Sequence, residues 1–119
     1  MKVYGIIDAS KLNKKKGNKM LATPQNVKVG DIVYKTYHYD RVFHTFYRIL
    51  EKKGKSTIAI QEVRKDWFGG QNHGSEKPTE ELRGKSFSTR YGKKGFKIDR
   101  YCSALEVWDG TPLEYSDWN

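Results

Sequence analysis

Cysteine occurs once in these 119 residues, proline three times, and no apolar run approaches the roughly 20 residues that a membrane-spanning helix needs. The single Cys102 excludes an internal disulfide and fits a reducing compartment, with an intermolecular bridge as the covalent alternative. Met1-Lys2-Val3-Tyr4-Gly5 lacks the apolar stretch of a secretory signal, so the expected location is cytoplasmic. No P-loop, no GxSxG, no CxxC or HxxxH spacing and no nuclease-type carboxylate pair is recognisable. The chain is therefore read as a non-enzyme without a cofactor.

Aliphatic residues are also scarce. Hydrophobic residues make up 36% of the chain and the mean hydropathy is −0.85, polar for a folded domain. Aromatic residues reach 13%, however, and large rings bury area where aliphatics are few, which argues against disorder. The length fits a single domain over residues 1–119 with a small aromatic core.

Positive charge is abundant and unevenly placed. Residues 1–60 hold 13 Lys and Arg against four Asp and Glu, whereas residues 61–119 hold 10 of each, so the whole surplus of +9 sits in the first half. Its densest part is Lys11, Lys14, Lys15, Lys16 and Lys19. The last twenty residues invert the sign, so one part of the surface suits a polyanion and another a basic partner.

The patterning is that of strands. Val42, His44, Phe46, Arg48 and Leu50 fall on one face and Phe43, Thr45, Tyr47 and Ile49 on the other. Glu51 to Lys55 supplies a glycine able to adopt positive φ, and Thr57 to Val63 resumes the pattern, which predicts an antiparallel hairpin with strands near 42–50 and 56–64. Further strands are expected at Val3–Ile7, at Val27–Tyr34 with a break at Gly30, and in a hairpin around Gly92-Lys93-Lys94-Gly95. Ser103–Trp108 fits a last strand or a helical turn. The Lys-rich stretch 10–26 is expected to be mobile, the turn-forming stretch 69–78 to be an exposed loop, and Thr79–Leu82 to add a helical turn. The fold class is mainly β, with α+β as the alternative: a small antiparallel sheet or partly open barrel carrying one or two short helical turns.

The VGDI opening at Val29, the Tyr39-Asp40 and Phe46-Tyr47 pairs, the Gly54-Lys55 turn and Trp108-Asp109-Gly110-Thr111-Pro112 follow one another in an order that resembles a group of small phage and mobile-element proteins, mostly of unassigned function. The likeness covers about residues 28–63 and 95–115. It implies a setting, the cytoplasm of an infected host. There a small protein without chemistry of its own would inhibit a defence nucleoprotein such as a CRISPR effector nuclease, in the manner of an anti-CRISPR protein, blocking nucleic-acid loading or a required motion.

The residues themselves carry a second reading, direct binding of single- or double-stranded nucleic acid. Cations interleave with rings at Lys35, Tyr37, Tyr39 and Arg41, and together with Lys11, Lys14, Lys15, Lys16 and Lys19 they are the candidate contacts to nucleic acid or nucleoprotein. Against this, strands favour Tyr and Phe in any case, and at least half of the rings belong to a core. Trp67 and Phe68, beside Gly69-Gly70, are the candidate partner anchors. No metal site is expected. The residues from which one could be assembled are His38, His44, His73 and Cys102, but His38 and His44 on an uninterrupted strand would stand roughly 20 Å apart. Cys102 is read as structural and Trp108 as a ring that seals one end of the sheet.

Overall fold

The computed structural model describes residues 20–39, 41–70 and 73–117. The fold is mainly β. Eight strands occur among the described residues: β1 Ile32–Tyr37, β2 Arg41–Lys53, β3 Thr57–Gly69, β4 His73–Leu82, β5 Phe87–Gly92, β6 Gly95–Phe96, β7 Glu106–Val107 and β8 Leu113–Asp117. Among these residues there is no helix. The pairings are antiparallel and run in the order β6-β5-β3-β4-β8-β2-β1-β7, and a further pairing of β3 with β2 closes β2, β3, β4 and β8 into a four-strand barrel.

Two 13-residue strands cause the closure. β2 and β3 form a hairpin around Gly54, whose φ of +75° suits a tight turn without a Cβ. They pair from Lys53↔Thr57 to Phe46↔Val63, with a bulge between Ile49 and Glu51, and then separate. Beyond the fork β2 pairs with β8 through Arg41↔Asp117 and Val42↔Ser116, β3 pairs with β4 from Lys65↔Pro78 to Gly69↔Gly74, and β4 pairs with β8 across the gap.

The alternation along β2 sorts the core into two clusters. Tyr47 and Ile49 join Val33, Ile58, Ile60, Phe96 and Leu105 on one side, and Phe46 joins Tyr34 and Val63 on the other, with Trp108 and Leu113 packed against them. Full burial of a side chain such as Phe46 or Ile49 contributes about 1.5–3 kcal/mol, so β2 stabilises both clusters. Trp108 lies edge-on to Phe46 at 6.2 Å, and its indole N–H donates to the Thr111 carbonyl. The Asp109 carboxylate accepts both the N–H and the hydroxyl of Thr111, which fixes the turn. Trp108 is half-buried against the Phe46 cluster.

Three expectations are corrected. The stretch 69–78 is not a loop throughout: Gly69 ends β3 and His73–Pro78 belong to β4, in which Glu76 is fully buried. Thr79–Leu82 is not a helical turn but the end of β4. There the Thr79 hydroxyl donates to the Arg64 carbonyl and accepts the Glu81 N–H, supporting an irregularity between Val63 and Lys65. Pro78 is tolerated in the strand because it sits at that irregularity. Finally, the stretch 10–26 is fixed at its C-terminal end, since Ala22 is buried and its N–H donates to the Leu105 carbonyl. The expected strand at 3–7 and the lysines at 11–19 lie outside the described residues.

Candidate functional site

The fork between β2 and β3 leaves the backbone of His44 without a strand partner on that side, and side chains replace the ladder. The His44 N–H donates to Glu76 Oε1 at 2.9 Å, the His44 ring nitrogen Nδ1 lies 3.2 Å from the same oxygen, and the Lys65 ammonium donates to the His44 carbonyl while standing 3.1 Å from Glu76 Oε2. His44 and Glu76 are buried. Burial alone would raise the Glu76 pKa, but hydrogen bonds from His44 and the Lys65 charge outweigh it and hold the carboxyl below its ordinary value. The barrel interior therefore has an apolar half, Phe46, Val63 and Leu113, and a charged plug at its mouth.

Around that mouth four rings are in contact in series. Tyr101 lies 5.7 Å from Tyr39, Tyr39 lies 5.8 Å from Tyr37, and Tyr37 lies 4.9 Å from Phe43. Lys65 carries the series onward, 5.1 Å from the Phe43 ring and 5.6 Å from the Trp67 ring, and Arg100 caps the far end 5.6 Å over Tyr101. Tyr39, Trp67 and Tyr101 are exposed at 63%, 61% and 54%. A concavity of about 480 Å³ opens beside Phe43 and Trp67, with Tyr115, Arg41, Lys65 and Glu76 in its wall. The β1–β2 turn and the isolated bridge Tyr37↔Cys102 bring these rings together. Tyr101 stands next to that bridge.

The structure treats the candidate contacts unequally. Tyr37 and Tyr39 belong to the ring series and Arg41 to the wall of the concavity. Lys35 is engaged elsewhere, 2.8 Å from Asp99. Burial opposes its charge, but the hydrogen bond to Asp99 prevails and its pKa is raised, while the Lys35 ammonium holds Asp99 below the usual carboxylate range. Trp67 and Phe68 are both exposed near the β3–β4 turn, with Lys77 5.4 Å from the Phe68 ring.

The metal candidates are dispersed. β1 ends at Tyr37, before His38, and β2 starts at Arg41, so the premise of one uninterrupted strand through His38 and His44 does not hold; His44 pairs with Thr36 instead. His73 is exposed at the start of β4, and Cys102 bridges to β1. Among the described residues no three His, Cys, Asp or Glu side chains form a group able to hold an ion. Burial pushes the Cys102 thiol up, the opposite of what a nucleophile requires.

Sequence reasoning misses Lys65, Glu76, Tyr101 and Tyr115 as members of the site. Lys65 and Trp67 stand two apart on a strand and so share a face, a signal that was present. Glu76 lies in a polar run that carries no such signal. No family model, curated protein or solved structure matches the chain.

Proposed function

We propose that this protein is a non-catalytic binding module that holds single-stranded nucleic acid along the ring series from Tyr101 to Trp67. The observation that carries the reading is the succession of four contacting rings from Tyr101 to Phe43, joined through Lys65 to a fifth, Trp67, with three of the five more than half exposed and Arg100 at one end. Rings that stack on bases beside cations that face phosphates are the chemistry of sequence-tolerant single-strand binding, at about 1–3 kcal/mol per stacked base. The adjoining concavity, walled by Phe43, Trp67 and Tyr115, is wide enough to admit an unstacked base. No described helix is long and apolar enough to cross a membrane.

A second reading is favoured by Trp67 and Phe68, two adjacent large side chains exposed at 61% and 47%. Here the chain docks through that hairpin on a host-defence nucleoprotein such as a CRISPR effector nuclease and inhibits it, the role that the phage-like motifs imply. Alanine substitutions separate the two. Tyr39→Ala and Tyr101→Ala weaken oligonucleotide binding under the first reading. Under the second, Phe68→Ala weakens capture of the effector by about 2 kcal/mol and leaves oligonucleotides unaffected.

A further inference from the structure

Cations near the ring series are largely engaged, Lys65 with Glu76 and Lys35 with Asp99. Unengaged positive charge collects at the opposite end of the long hairpin. Two turns lie side by side there: Lys53-Gly54-Lys55 between β2 and β3, and Gly92-Lys93-Lys94-Gly95 between β5 and β6. The registers Lys53↔Thr57 and Thr57↔Arg90 set Lys53 and Arg90 in one row across three strands, two strand spacings or about 10 Å apart. The Tyr91 N–H donates to the Ser56 carbonyl at 2.8 Å and fixes one turn against the other.

Lys53, Lys55, Arg90, Lys93 and Lys94 are all exposed. Among the described residues no ion pair engages any of them. The nearest carboxylate along these strands is Glu51, two residues before Lys53. The nearby described rings, Tyr91 and Phe96, pack on each other at 5.1 Å, so among the described residues no ring at this end is left to stack on a base or to anchor a protein partner. Protein interfaces centre on buried aromatic anchors, whereas phosphate backbones are held by cations alone.

We infer that this end of the sheet is a second nucleic-acid contact, a phosphate-backbone grip formed by Lys53, Lys55, Arg90, Lys93 and Lys94 that takes duplex as readily as single strand. It rests on the proposed function only for the choice of nucleic acid among polyanions. From Phe43 to Lys53 is ten strand residues, roughly 30 Å, so the grip and the rings address different parts of a ligand.

The test matches two variants of equal net charge. Lys93→Ser/Lys94→Ser removes charge from the grip, and Lys77→Ser/Lys85→Ser removes it from exposed positions elsewhere. Binding to a blunt 20-base-pair duplex is measured across salt concentrations after both variants are shown to melt like the parent. The expected result is that the first variant loses about 1.8 from the slope of log K against log salt, 0.9 for each lost phosphate contact, while the second keeps the parent slope. Equal losses in the two variants, or no loss in the first, overturn the grip. Tyr39→Ala/Tyr101→Ala tests the ring reading separately: it is expected to spare duplex binding, and a loss of duplex affinity there as large as in the lysine variant also overturns a distinct second contact.

Discussion

Glu76 Oε1 accepts the backbone N–H of His44 at the point where β2 and β3 part company. A continued ladder would set a β3 backbone opposite His44, but the strands have diverged and a carboxylate from β4 stands there instead. Lys65 completes the substitution at the His44 carbonyl. Opening a sheet into a small barrel exposes backbone groups at the fork, and a buried ion pair satisfies them.

Removing one partner of that set is therefore expected to be severe. Glu76→Ala leaves the Lys65 charge and the His44 N–H unpaired at the mouth and should cost about 3–5 kcal/mol in a denaturant titration. Glu76→Gln keeps an acceptor oxygen and should cost less. Equal stability of Glu76→Ala and the parent would remove the fork from the account.

Acid should act through the same carboxylate. Because the Glu76 pKa is lowered on folding, its stabilisation is fully present above the unfolded value of about 4.3 and disappears as pH falls through the lower folded value. Asp99 has the same sign. Lys35 has the opposite one: its raised pKa stabilises below about 10.4, and that contribution is lost as pH rises through the folded value. Denaturation midpoints measured against pH should fall at both extremes, and Glu76→Gln should flatten the acid limb.

The β3–β4 turn depends on two glycines. A Cβ on Gly74 would meet the Phe68 carbonyl oxygen at 2.2 Å, and Gly69 has φ +124° with the Gly74 Cα 2.7 Å from its own would-be Cβ. Gly74→Ala should destabilise by about 1–3 kcal/mol in thermal melts. Gly54→Ala meets open space and carries only the positive-φ penalty of about 1–2 kcal/mol. The Gly74 variant should melt at least as low as the Gly54 variant, with exposed Trp67 and Phe68 reporting the disturbed hairpin.

The hairpin from Val42 to Val63 is legible in the sequence because both faces of β2 carry apolar residues in strict alternation and a glycine turn follows. Residues 69–78 are not legible for the converse reason. GGQNHGSEKP contains nothing that needs burial by itself, and its part from His73 onward becomes a strand because β3 on one side and β8 on the other supply backbone partners. Glu76 is buried by that pairing, not by its own chemistry. At the site, Tyr37 and Tyr39 stand out as rings among cations, but Tyr101 joins them only through a bridge between distant segments, and Lys35 leaves them because Asp99, 64 residues away, claims it.

Cys102 should be slow to react. Its thiol is pushed up by burial, so alkylation by iodoacetamide near neutral pH is expected to run well below the rate of a free cysteine and to approach it only on unfolding. Rapid alkylation of the folded protein would contradict a structural role for Cys102.

The most direct measurement is the affinity of the protein for a single-stranded oligonucleotide at physiological salt, taken beside the Tyr39→Ala/Tyr101→Ala variant of unchanged melting temperature. The expected result is a dissociation constant tighter than the roughly 1–100 µM of purely non-specific binding, and a loss of about 1–3 kcal/mol for each ring removed that stacks on a base. Binding confined to the non-specific range and indifferent to both tyrosines would contradict it.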